Sequence, residues 1–165
     1  MIALELTDVK DFMNKLLRSE IFDHFLMQEA VITSAATYTI NGQITKGFYS
    51  PEELEELHLN GCRFLPFYML RGNCFDLIKG KKTPSQLKIV LKVNEENTLQ
   101  LLNTTKSALN PNDIDGMFLN IIFQEKDLNV ICGISYQIFT MEKALESEFT
   151  NQIIQLFKAN NITCE

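Results

Sequence analysis

"GMFLNIIFQEKDLNVICGISYQIF", residues 116–139, is two runs of apolar residues separated by one polar break, Glu125-Lys126-Asp127. In the second run Val130, Cys132, Ile134, Tyr136 and Ile138 fall at every other position, the period of a strand with one buried face. Strands joined by so short a break pair antiparallel, because a parallel pair needs a crossover of a dozen residues or more. The fold is therefore built outward from a hairpin, not from a β-α-β unit.

The segments before it agree. "QLKIVLKV" (residues 86–93) alternates, with Leu87, Ile89, Leu91 and Val93 on one side and Lys88 and Lys92 on the other. "FLMQEAVITS" and "ATYTI" are rich in β-branched and aromatic residues, as strands are. Asn41-Gly42 stands between "TYTI" and "QITKGFY"; both residues tolerate positive φ, so a two-residue hairpin turn is predicted there. "MIALEL" suits a short first strand.

Helices show the other period. Val9, Phe12, Met13, Leu16 and Leu17 make one apolar stripe, with Thr7 as the predicted cap. "SPEELEEL" opens with Ser50 as cap and Pro51 at the first helical position, giving a short exposed helix. A longer one is predicted from Pro66 to about Lys79, with Phe67, Leu70, Cys74, Leu77 and Ile78 on one face. "NEENTLQLLN" is a short candidate capped by Asn94, and "TTKSALNPNDIDG" reads as loop. Thr140 is the predicted cap of a last helix reaching Lys158, with Leu145, Phe149, Ile153, Leu156 and Phe157 inward. The order is β-α-β-β-β-α-β-(α)-β-β-α. It predicts an α+β fold: a largely antiparallel sheet of hairpins and meanders with about three main helices packed on one face. No repeat or linker divides the chain, so residues 1–165 are expected to form a single globular domain. The order also resembles one repeat of a DNA polymerase processivity clamp, on element order alone.

Charge narrows the function. The chain of 165 residues has a net charge of −6. Residues 77–94 nevertheless hold five lysines and no acid, leaving a net −11 on the rest. Within them "GKKT", residues 80–83, imitates the end of a phosphate-binding loop. The imitation fails three ways. Phe75 stands where the first glycine belongs, and Lys82 separates Lys81 from Thr83. The segment also follows a helix instead of opening one, so it sits at the negative, carbonyl end. Its lysines suit a helix C-terminus and the wet side of a strand.

Other catalytic constellations are weak. Asp23 adjoins His24, but neighbouring strand residues point opposite ways. His58 and Cys62 are interrupted by Asn60-Gly61, and Cys74 and Cys132 lie on apolar faces as packed thiols. "DIDG" and the Glu52–Glu56 cluster lack calcium-loop spacing. No cysteine pair has metal-binding spacing, and no nucleotide or nucleophile glycine motif is present. Catalytic residues, metals and cofactors are accordingly not expected.

The stretches "FDHFLMQEAVITSAATYTINGQITKGFYS", "LIKGKKTP", "DGMFLNI" and "IFTMEKALE", in this order, resemble an uncharacterised single-domain family of small bacterial proteins of clostridial type. The resemblance covers nearly the whole chain and implies one domain of unknown function. It brings no activity, cofactor or catalytic residue. The chain has Ala35 and Ala36 where the family pattern has an aromatic, and Asn41-Gly42 where it has Asp-Gly.

Two functions from different classes remain as expectations. The first is a non-catalytic cytoplasmic protein that binds a macromolecular partner through Lys79, Lys81, Lys82, Lys88 and Lys92, with a protein favoured over nucleic acid and no membrane contact. The second is a small-molecule-binding protein or minor enzyme using a polar sheet cleft of Thr37, Thr39, Asn120 and Ser135. The N-terminal "MIALELTDVK" has no leader pattern, and no apolar run approaches the ~20 residues of a membrane helix.

Overall fold

The computed structural model describes residues 2–165, and its sheet grows from the hairpin at 116–139. β5 (Ile114–Gln124) and β6 (Asp127–Tyr136) pair antiparallel, with Gln124 opposite Asp127. The turn is only Glu125 and Lys126, both left-handed at φ 53° and 74°. A two-residue hairpin demands that geometry.

The remaining strands add to both sides. β1 (Ile2–Glu5) pairs with β6; β4 (Gln86–Lys92) pairs with β5; β2 (Leu26–Thr33) lies beyond β4, and β3 (Thr37–Asn41) beyond β2. The order across the sheet is β1-β6-β5-β4-β2-β3, with every neighbouring pair antiparallel. Five α-helices are described: α1 (Val9–Arg18), α2 (Pro51–Glu56), α3 (Phe67–Ile78), α4 (Glu95–Thr105) and α5 (Ala144–Ala159). The fold is α+β, as the periodicity predicts. Its main helices number four, because "NEENTLQLLN" extends to eleven residues under the Asn94 cap.

One sheet face meets α1, α3, α4 and α5. Ala30, Ile32, Leu87, Ile89, Leu91, Leu119, Ile121, Val130 and Cys132 are buried there against helix residues such as Leu16, Cys74, Leu101 and Ile153. Phe12 of α1, Phe22 and Phe157 of α5 meet edge to face, with centroids 5.8, 6.0 and 6.4 Å apart. The fork of Arg71 grips the Asp23 carboxylate at 3.0 and 3.1 Å, tying α3 to the approach to β2. The other sheet face carries Val31, Lys88, Ile122 and Asn129 in one row across the strands.

Five local expectations are corrected. The β2–β3 hairpin turns at Ser34–Ala36, not at Asn41-Gly42. Gly42 instead closes the ladder, its N–H donating to the Gln28 carbonyl at 3.0 Å. "QITKGFY" is not a returning strand: Gln43 bridges Phe64, and residues 64–66 take over the place beside β2 that β3 vacates. The α1 cap is Asp8, whose carboxylate accepts from the Asp11 N–H, because the Thr7 hydroxyl is engaged with Thr163 at 2.6 Å. α5 begins after Lys143, not at Thr140, and β6 stops at Tyr136, leaving Ile138 46% exposed.

Candidate ligand-binding cleft

Helix α3 ends at "LIKGKKTPS", and the chain polarity read from the sequence holds. The Lys79 N–H donates back to the Phe75 carbonyl at 2.8 Å, Gly80 has φ 139°, and β4 starts at Gln86. The Gly-Lys-Lys-Thr segment therefore closes a helix and offers no fan of free amides to a phosphate. It also forms one wall of a cleft of about 820 Å³.

The cleft lies where α1, the end of α3 and the β5–β6 turn meet. α1 contributes Val9, Met13 and Leu17, and α3 contributes Phe75 and Ile78; Pro84, Leu87 and Phe123 complete the apolar lining. Four cations stand around it, Lys10, Arg18, Lys79 and Lys126, against one carboxylate, Glu125. Arg18 and Lys79 lie over the Phe75 ring at 5.9 and 5.8 Å from its centroid, positions that hold both heads at the mouth. Lys79 also pairs with Asp76 at 3.1 Å, an exposed contact worth little. An apolar body with cations at the rim accepts a group that is apolar along its length and anionic at an end.

The predicted lysine strip divides between two surfaces. Lys79 reaches the cleft, and Lys81 and Lys82 are exposed on the loop beside it. Lys88 and Lys92 are on the far face of the sheet. Lys88 is exposed there, whereas the Lys92 ammonium lies 5.7 Å from the Phe64 ring and 5.9 Å from the Phe118 ring. Thr37, Thr39, Asn120 and Ser135 share that face but do not converge. Thr37 and Thr39 are on the outermost strand; Asn120 is three strands away, roughly 14 Å at ordinary strand spacing. Ser135 is a strand further, donating to Asp115 at 3.0 Å.

A second cleft of about 380 Å³ opens between α4 and α5, lined by His24, Asn97, Gln100 and Gln152 over Leu101, Met117 and Phe149. His24 stands in it without Asp23, which faces Arg71. Among the described residues no group of three or more His, Cys, Asp and Glu is placed to hold a metal. Nor is any helix among them long and apolar enough to cross a membrane.

All four cysteines are unpaired. Burial pushes the thiols of Cys74 and Cys132 up to about 11. Because the folded form holds these protons more tightly than the unfolded chain, stability falls as pH rises from about 9 towards 11. At pH 8 a thiol reagent should modify Cys62 and Cys164 in the native protein, with Cys74 and Cys132 reacting only on unfolding. A mass count of four modified thiols in the folded protein would contradict this burial.

The family of unknown function DUF5721 matches the chain over residues 15–165. No curated protein and no solved structure matches it.

Proposed function

The chain belongs to DUF5721, a family of unknown function, and we propose that it is a non-catalytic binding protein whose cleft beside the α3 terminus receives an acidic segment of a partner protein. One observation carries the reading: apolar walls from α1, α3 and β4 under a rim of four cations and one acid, on a chain whose net charge is −6. Charge of that sign concentrated at one apolar opening favours partners carrying the opposite sign and a few apolar anchors. A reducing, cytoplasmic setting belongs to the same reading and agrees with four unpaired cysteines.

A small anionic amphiphile is the second reading. It is favoured by the cleft's size, which falls within the range of small-molecule sites. The two separate by titration. Long-chain carboxylates that raise the melting temperature progressively, with the logarithm of their concentration, favour the amphiphile. A partner segment retained while such carboxylates have no effect favours the protein.

Both readings share one test. Anilinonaphthalene sulfonate, an apolar fluorescent anion, should bind the native protein at this cleft. Met13→Asp places a carboxylate in the apolar wall and should weaken that binding at least tenfold. The pair Lys10→Glu and Lys126→Glu should weaken it about tenfold at low salt and less at high salt, through screening. Unchanged dye affinity in both variants would remove the cleft from consideration.

A further inference from the structure

Strand β3 forms an edge of the sheet, and nothing among the described residues covers it. The opposite edge is handled differently. β1 is four residues long and ends in Glu5, and its continuation is paired with the chain's last residues: Leu6 bridges Cys164, and Glu5 and Glu165 exchange main-chain hydrogen bonds at 3.0 and 2.9 Å. β3 is Thr-Tyr-Thr-Ile-Asn, with no lysine, no proline, no acid and no bulge in its pairing with β2. These are the devices that ordinarily keep an edge from pairing, and all are missing.

The ladder says which groups are free. At one end of the hairpin the Gly42 N–H donates to Gln28, and at the other the Ser34 N–H donates to Ala36. Register is constant between them, so Tyr38 and Ile40 carry the hydrogen bonds to Ile32 and Ala30. The main-chain groups of Thr37, Thr39 and Asn41 therefore point away from β2, into the open. Tyr38 is 44% exposed, on the same side of the sheet as the half-buried Ile40.

We propose that β3 pairs antiparallel with β3 of a second copy of this chain, about a two-fold axis at Thr39. That register sets Thr39 against Thr39 and Thr37 against Asn41. The outward groups of three residues on each copy then find partners, making about six main-chain hydrogen bonds. It also sets Tyr38 against Ile40 of the other copy as a close, non-hydrogen-bonded pair, twice over, an aromatic against a β-branched side chain. Each off-axis contact occurs twice, Thr37 on Asn41 and Tyr38 on Ile40, as an isologous interface requires. The strand carries no charge, so two copies of an acidic chain bring no like charges together across the seam. The product is a continuous sheet of twice six strands, with the cleft of each copy left open.

Sedimentation equilibrium of the full chain from micromolar to millimolar concentration tests the pairing, with Thr39→Lys and Thr39→Pro as variants. The Thr39 side chain is exposed and its N–H is unused within the monomer, so neither change removes a contact the monomer makes. The wild type should dimerise. Thr39→Lys places two ammonium groups on the axis, Thr39→Pro deletes an outward donor, and each should weaken the dimer at least a hundredfold. Hydrogen exchange supplies a second readout: the Thr37, Thr39 and Asn41 amides should be protected in wild type and exchange freely in Thr39→Lys. A wild type that stays monomeric to millimolar concentration overturns the proposal. So does a dimer that both variants leave intact. Should Thr39→Pro fail to fold, Thr39→Lys alone decides.

Discussion

Phe157→Ala should lower the unfolding free energy by about 3–5 kcal/mol, the range for emptying a buried aromatic site. Phe157 is fully buried and meets two other rings edge to face, Phe12 at 6.0 Å and Phe22 at 6.4 Å. Truncation removes transfer energy and both ring contacts, each contact contributing about 0.5–1.5 kcal/mol beyond area. Relaxation is limited because Phe12 and Phe22 are themselves held, 5.8 Å apart, by α1 and the approach to β2. In a chain of this size each kcal/mol moves the melting temperature by about 2–4 °C, so a drop near 10 °C is expected. Urea titration should show a lower midpoint with the slope unchanged. A loss under 1 kcal/mol would mean that α5 is not locked onto α1 as described.

Gly42→Ala should be comparably damaging for a different reason. A Cβ at Gly42 would stand 1.8 Å from the Met27 carbonyl oxygen and 2.8 Å from its carbon. Both atoms are main chain, so no rotamer relieves the clash, and β2 must separate from the crossing where residues 64–66 replace β3. A cost of about 3 kcal/mol or more is expected, at the upper end of overpacking effects. Gly72→Ala is the control of opposite sign: nothing lies within 4 Å of its added Cβ, in the middle of α3. Alanine there should stabilise by about 0.5–1 kcal/mol. Equal chemical-denaturation midpoints for the two variants would contradict the geometry at Gly42.

Gly42 also marks what the sequence could and could not reveal. Alternation in residues 86–93 and 116–136, and the 3.6-residue stripe of Val9, Phe12, Leu16 and Leu17, report burial directly, and those elements stand where the periods put them. Glycine is ambiguous, serving either a positive φ or a close approach. Asn-Gly suggested the first, whereas Gly42 serves the second. The α1 cap moved because the Thr7 hydroxyl is taken by Thr163, a contact between residues 156 positions apart that no local pattern encodes. The cleft was out of reach for the same cause. Its walls come from residues 9–18, 75–87 and 123–126, and of its cations only Lys79 lay in the strip that charge counting singled out. Lys92 shows the limit of counting: the sequence lists it with the others, while the fold places it on the far sheet face between two rings.

The β5–β6 turn sets main-chain comfort against charge at the cleft. Left-handed backbone at two successive residues suits Asn-Gly; Glu and Lys held there forgo about 1 kcal/mol each. Here an acid and a base occupy both positions and both line the cleft, so a main chain that an uncharged Asn-Gly would relax carries two charges at the entrance.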